Sequence, residues 1–296
     1  MNVSPYFTVT IPVYNGELFI ERAVASVVRQ TCPDWALVVI DNQSTDGTWN
    51  ILQARYANHP QIRLLQNASN LGMCGNFNRC LDEAAGSWIG ILPADDTYAP
   101  HALETIYAHT RNEKDLILWI HSHLVEGAGV TPNICAVYPQ VMEFQCDDLA
   151  RLLFLRGNIF GELSSFFFNR MAVERHSLRF NSEAPSTDTR LWVRTAKLNP
   201  AGRARFWPDV LAHVWQHRLS CSSQNAASGE SVADLFHSTS DLAELGWNRT
   251  VLLKQAARVL KCWWKFRDAL PRNERAAPFL CLKKLLSTLC QAPPDR

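Results

Sequence analysis

Through roughly the first 120 residues, short apolar runs alternate with segments whose apolar positions recur every three or four residues. Residues 7–13, 36–40, 62–65, 88–92 and 115–120 have the length and composition of strands. Between them, residues 17–30, 48–57, 76–85 and 100–111 carry helical spacing; the first of these helices has Leu18, Ile20, Ala23, Val24, Val27 and Val28 on its apolar positions. Gly86 stands where a helix C′ residue is expected. Strands alternating with helices predict parallel βαβ units in a doubly wound α/β sheet.

The same pattern puts polar groups at three strand ends. The first strand closes in Pro12, Val13, Tyr14 and Asn15, and the second in Asp41 and Asn42, followed by Ser44, Thr45, Asp46 and Gly47. The fourth runs from Trp88 to Leu92, stops at Pro93, and delivers Asp95 and Asp96. In open α/β sheets ligands bind at the carboxyl edge, and paired carboxylates there suit a divalent cation that also holds phosphate oxygens. Read alone, the Asp pair equally fits a solvated turn before a helix capped by Thr97. No Gly-x-Gly-x-x-Gly follows the first strand and no Gly-x-x-x-x-Gly-Lys is present, which disfavours dinucleotide oxidoreductases and P-loop NTPases.

Beyond residue 126 the pattern is less regular. Residues 144–155 predict a helix, 164–168 and 210–214 predict strands, and Asp188 opens an amphipathic helix with Leu191 and Trp192 facing inward. His213 and His217 are four apart, but Val214 stands where a His-Glu-x-x-His protease needs its glutamate. His121 and His123 are read as strand-end residues rather than ligands. In the tail, Leu252, Ala256, Val259, Trp263, Phe266 and Leu270 make one stripe with Lys254, Arg258, Lys261 and Lys265 on another side, and residues 279–289 form a second apolar helix. Two readings stand side by side here: basic amphipathic helices lying on an anionic membrane, and a helical pair packed on the body.

Composition sharpens that division. Net charge is +1, yet after Asn248 eleven basic residues face three acidic ones, leaving −7 for the preceding 248 residues. Nine scattered cysteines without a Cys-x-x-Cys pair argue against a disulfide framework or zinc ribbon and for a reducing compartment. No secretion signal and no apolar run of spanning length is visible, so the expected location is cytoplasmic, at the inner face of the membrane if the tail binds lipid.

Residues 10–15, 40–48, 70–72, 76–81 and 93–96 together resemble family 2 glycosyltransferases of the GT-A fold, closely over roughly the first 125 residues and loosely to about Ser223. The resemblance implies a Rossmann-like doubly wound mixed sheet with helices on both faces, residues 1–125 as the nucleotide-sugar-binding half and 126–223 as the acceptor-side half. Residues 224–296 are then a basic helical C-terminal region. It implies an inverting transfer from a nucleotide-diphosphate sugar to a saccharide or polyprenyl-diphosphate-linked acceptor in bacterial surface polysaccharide assembly, with Mg²⁺ or Mn²⁺ on the diphosphate and no nucleic-acid partner. A transferase to polyprenyl phosphate and a non-catalytic nucleotide-sugar-binding relative are the alternatives.

By resemblance, Pro12, Val13, Tyr14, Asn15, Asp41, Asn42, Asn78 and Asp95 bind the donor. Asp96 and His217 hold the metal, Asp188 is the catalytic base, and Glu183 is its reserve. Three departures stand out: Asn42 where an aspartate commonly reads the base, no Arg or Lys between Asn67 and Asn78, and Pro93 where many members carry a carboxylate. The expected site has Tyr14, Asn42 and Asp96 around one pocket.

Overall fold

The computed structural model describes residues 4–127, 129–180, 187–217, 230–266 and 276–292. Its chain divides into two compact units interleaved in sequence. The first comprises residues 1–145, 160–182 and 201–216; the second comprises 146–159, 183–200 and 217–296.

The first unit is built on β1 (Phe7–Val13), β2 (Trp35–Asp41), β3 (Ile62–Gln66) and β4 (Trp88–Ile91), with helices α1 (Ile20–Val28), α2 (Thr48–Tyr56), α3 (Gly72–Glu83) and α4 (Ala102–Thr110) between and after them. Strand β5 (Thr97–Tyr98) precedes α4, and β6 (Leu116–Gly127), β7 (Val130–Cys135) and β8 (Met142–Gln145) follow it. A 3₁₀ turn, Leu163–Ser165, leads into β9 (Phe166–Asn169), and β10 is Arg203–Gln216. All ten strands join one sheet in the order β3-β2-β1-β4-β9-β6-β10-β5, with β7 on β6 and β8 on β10. The first four strands run parallel, and β9 is antiparallel to both β4 and β6. The sheet is therefore mixed, as expected.

Strand β1 is buried along its whole length, which is why it reads as a continuous apolar run. The faces of β2 alternate. Leu37 and Val39 join the large core with Val24 of α1, Leu52 of α2 and Ile106 of α4, whereas Val38 and Ile40 pack with Cys80 of α3. Helices thus cover both faces. Pro12 sits in this central strand without breaking it. Thr10 O accepts from Leu92 N and Val13 O from Asn42 N, so strand alternation turns the Pro12 nitrogen toward β4 where that ladder has ended.

Several boundaries correct the sequence expectation. His121 and His123 are not strand-end residues: β6 continues to Gly127, and both rings are buried within it. Helix α3 ends at Glu83. Gly86 is therefore not its C′ residue, and a Cβ there would meet the Thr8 backbone nitrogen at 2.5 Å. Phe144 lies in β8, paired to β10, and the helix begins after it.

The second unit is helical. It contains α5 (Cys146–Arg156), α7 (Thr187–Leu198), α8 (Glu230–Leu242), α9 (Arg249–Phe266) and α10 (Ala277–Gln291); the short helix α6 (Arg170–Arg175) belongs to the first unit. Leu191 and Trp192 of α7 are fully buried, Phe154 stacks on Trp247 with centroids 4.5 Å apart, and Lys197 lies over the same indole while pairing with Asp147. No disulfide joins any of the described cysteines.

Candidate active site

Parallel strands β3, β2, β1 and β4 bring their carboxyl ends to one edge. There the loops after β1 and β2 are stitched together. Asn15 N–H donates to Ser44 Oγ, and Asn15 Oδ1 accepts from Thr45 N–H at 2.8 Å. Gly16 N–H donates to Thr48 Oγ1, and Gly47 N–H to Glu17 Oε2. Burial alone would raise the Asp46 carboxyl, but hydrogen bonds from Thr48 and Glu17 outweigh it and hold the group below the usual carboxylate range. Asn15 and Gln43 take left-handed backbone conformations, φ 53° and 62°. Such conformations are uncommon for residues with a side chain and persist where the surroundings over-determine them.

A cavity of about 290 Å³ opens at this edge, lined by Pro12, Val13, Tyr14, Asn42, Asn70 and Phe77 among others. Tyr14 is half-exposed and offers a ring face to a planar ligand. Asn42, by contrast, has no hydrogen-bonding capacity left for a base. Its Oδ1 accepts from Asn67 Nδ2 and the Leu71 amide, and its Nδ2 donates to Asn70 Oδ1 and the Gly72 carbonyl. Asn67 also donates to Asn76 Oδ1 and accepts from Arg79, while Asn76 Nδ2 holds the Ile40 carbonyl. Asn42 is thus the centre of a satisfied amide cluster that shapes the wall.

Asp41 is fully buried beneath that wall, accepting from Gln66 Nε2 and the Ser44 amide. Asn78 does not line the cavity: both ends of its amide engage the Phe180 backbone, at 3.0 and 2.8 Å.

Asp95 and Asp96 stand on the same edge, one strand over. Asp96 N–H donates to the Pro93 carbonyl, closing a turn that carries the Asp96 side chain toward β10, where its Oδ1 accepts the Trp215 amide at 3.0 Å. Tyr14 and Asn42 therefore share the cavity, and Asp96 lies outside its lining. Burial, then the Asp95 charge, raises the Asp96 carboxyl well above the carboxylate range, against the Trp215 hydrogen bond and with a further push from Glu162. Glu162 is itself raised, by burial and by Asp95.

These carboxyl groups crowd together, which is the electrostatic setting a cation relieves. Hard oxygen donors suit Mg²⁺ or Mn²⁺. Among the described residues no group of three His, Cys, Asp or Glu is arranged to hold an ion, so a cation at Asp95 and Asp96 would need further ligands from elsewhere.

Two further groups at the Asp pair escaped the sequence reading. Arg22 donates to the Asp95 carbonyl at 2.8 Å and lies over the Trp215 ring, 4.7 Å from its centroid. Glu162 follows Gly161, whose φ is 93° and where a Cβ would meet the His123 ring at 2.1 Å. His123 Nδ1 in turn contacts Ser165 Oγ at 2.8 Å. Only the Gly at 161 hinted at such a close approach in the sequence.

Asp188 is the second residue of α7, half-buried, and its Oδ1 accepts the Thr189 amide at 2.6 Å. It belongs to the second unit, as does His217, the first residue after β10. Glu183 lies outside the described residues.

The chain was compared with known proteins. Chondroitin synthase of Escherichia coli is 38% identical over 114 residues, 38% of this chain and 16% of that protein. The GalNAc(5)-diNAcBac-PP-undecaprenol beta-1,3-glucosyltransferase of Campylobacter jejuni is 26% identical over 201 residues, 65% of this chain and 60% of that protein. The matches thus span less than two thirds of these relatives' own length. Among solved structures, S. aureus TarS 1–349 in complex with UDP-GlcNAc superposes with a TM-score of 0.73 at 19% identity, covering 96% of this chain and 81% of that fragment. Mannosyltransferase PcManGT from Pyrobaculum calidifontis, with GDP-Man and Mn²⁺, gives 0.55 at 17% identity, covering 98% and 75%. These likenesses establish the GT-A fold. The family model Glycosyl transferase family 2 matches residues 8–177, more than half of the sequence, and the chain belongs to that family.

Proposed function

We propose that this protein is an inverting glycosyltransferase that moves a sugar from a nucleoside-diphosphate donor to a saccharide or polyprenyl-diphosphate-linked saccharide in bacterial surface polysaccharide assembly. The observation that carries the reading is the shared strand edge: a cavity with a tyrosine face beside a pair of crowded carboxylates. Backbone groups of Pro12 and Val13 and the Tyr14 ring cradle base and ribose, with Asn15, Asp41 and Asn42 fixing the loops that form the wall. Asp95 and Asp96 hold Mg²⁺ or Mn²⁺, which when bound neutralises diphosphate charge and eases its departure. His217 stands as a further ligand from the segment after β10.

Inversion needs a carboxylate on the sugar face opposite the leaving diphosphate to take the acceptor hydroxyl's proton, and Asp188 is assigned that role. Relatives support the acceptor class: the Campylobacter protein is named for an undecaprenol-diphosphate-linked acceptor. We place the enzyme in the cytoplasm, on the membrane side where such acceptors are built.

Incubation with a panel of nucleotide sugars, Mn²⁺ and lipid-linked or free saccharide acceptors, read by mass spectrometry, tests the reading. One donor is expected to transfer, and Asp188→Asn to lower turnover about 10²- to 10⁴-fold with donor affinity retained. Near-normal turnover removes Asp188 from the role. A second reading, a nucleotide-sugar-binding relative without transfer, is favoured by the closed Asn42 cluster and by Pro93. Tight nucleotide binding with no transfer or hydrolysis from any donor would select it. Transfer to polyprenyl phosphate alone would select the lipid-phosphate variant.

A further inference from the structure

Helices α9 and α10 settle against each other as an antiparallel hairpin. Trp263 meets Phe279 with ring centroids 5.2 Å apart at one end, and Arg249 Nε reaches the Ala292 carbonyl at the other. The inward stripe of α9 is Leu252, Ala256 and Val259, and α10 turns Cys281 and Leu285 inward. The two helices thus pack on each other, and large apolar side chains stay exposed on the opposite side of the hairpin.

That outer side is not polar. On α9, Leu253, Leu260 and Trp264 are 53%, 47% and 69% exposed, and their spacing of seven and four puts them on one stripe. On α10, Phe279 and Leu286, seven apart, are 58% and 48% exposed, with Leu280 beside them at 62%. The Trp263–Phe279 contact joins the helices at the end where Trp264, Phe279 and Leu280 are exposed.

Basic residues border this face. Lys254, Lys261 and Lys265 fall on the flank of the α9 stripe away from α10, and Lys283 lies within the α10 stripe, between Phe279 and Leu286. Neither helix contains an aspartate or glutamate. Charge decides what such a face fits. A soluble partner's apolar patch would need acidic residues placed to match, whereas an anionic lipid surface matches any arrangement of lysines around an inserted Trp, Phe and Leu. No helix among the described residues is long and apolar enough to cross a membrane, so contact would be in the interfacial plane.

We infer that the outer face of the α9–α10 hairpin docks on an anionic bilayer, inserting Trp264, Phe279, Leu280, Leu260 and Leu253 with the lysines at headgroup level. This deepens the proposed function by supplying the surface that carries a lipid-linked acceptor, and it rests on that reading only for its purpose. Lipid binding is measured without donor or acceptor, so either reading can fail while the other stands.

The test is flotation of the full chain with phosphatidylcholine vesicles, with and without about one third phosphatidylglycerol. Wild type is expected to float with anionic vesicles and to be released by high salt. Lys254→Gln with Lys261→Gln is expected to lower partition roughly 20- to 30-fold, at about fivefold for each lysine. Leu253→Ser with Leu260→Ser is expected to lower it at least as much, on both vesicle types. Because these four side chains are exposed on one helix, thermal midpoints should stay near the wild-type value, and the wild-type comparison of the two vesicle types needs no variant. Equal flotation with both vesicle types, or variants that float like wild type, would overturn the inference. So would concentration-dependent self-association in the absence of vesicles that the Leu253 and Leu260 substitutions abolish, which would make the face an interface between copies.

Discussion

Two polar clusters sit a strand apart on the same sheet edge, and they are built on opposite principles. Around Asn42, neutral amides satisfy one another completely: donors meet acceptors among Asn42, Asn67, Asn70 and Asn76, with Arg79 closing the set. Around Asp96, carboxyl groups lie near one another, and the Trp215 hydrogen bond does not offset burial and like charge. The first cluster is complete without a ligand and holds the cavity in shape. In the second, burial and like charge favour the protonated carboxyl, and a bound cation would favour the ionised one. The two clusters thus differ in whether their hydrogen bonds close, and the proposed function gives the chemistry to the one left open.

Exchanging the two chemistries breaks the comparison most sharply. Asp96→Asn is expected to lower kcat/KM by at least about 100-fold, as loss of a metal-holding carboxylate does, while leaving the thermal midpoint unchanged or higher because a destabilised buried carboxylate is gone. A lower midpoint would show that Asp96 stabilises the fold. Calorimetry and steady-state rates on one preparation read both.

Acid separates the clusters by sign. Burial pushes His121 and His123, both within β6, down to about 4 from an ordinary 6.5. A lowered histidine leaves the unfolded chain binding more protons, so its contribution is present above about pH 6.5 and is lost as pH falls toward 4. The raised Glu162 carboxyl acts oppositely, its contribution being lost as pH rises through its folded value. His123→Gln should therefore flatten the acid loss of stability between pH 6.5 and 4 by up to about 3 kcal/mol. Denaturant titrations across that window check it, and an unchanged slope would deny that His123 is buried neutral.

The converse exchange, Asn42→Asp, sets carboxylate oxygens against Asn70 Oδ1 and the Gly72 carbonyl, both of which now receive hydrogen bonds. It should cost about 1–3 kcal/mol of stability, read from the denaturation midpoint. A stabilised variant would mean the amide cluster is not the structural unit described above.

Much of this edge was legible in the sequence because buried parallel strands announce themselves as apolar runs. Strands β1 to β4 and the polar residues at three of their ends were read directly. What could not be read is instructive. Strand β6 was seen only to Ile120 because His121, Ser122 and His123 are polar yet buried. Strand β10 was seen only over residues 210–214, since Pro208 and a register irregularity at Trp207–Val210 interrupt its pattern. Strands β7 and β8 are partly exposed and carry no apolar run. Glu162 and Arg22 reach the Asp pair from distant segments, a convergence that only the fold creates. Asn42 was named from sequence as a candidate ligand. Its saturation by four protein hydrogen bonds depends on loop geometry that spacing does not encode.

The most direct test is a thermal shift titration with a panel of nucleoside diphosphates and their sugars, with and without Mn²⁺, on wild type and Asp96→Asn. One nucleotide is predicted to raise the wild-type midpoint in a cation-dependent way, by mass action on the folded state, and that dependence is predicted to vanish in the variant. No stabilisation by any nucleotide, or identical cation-dependent shifts in both proteins, would contradict the account.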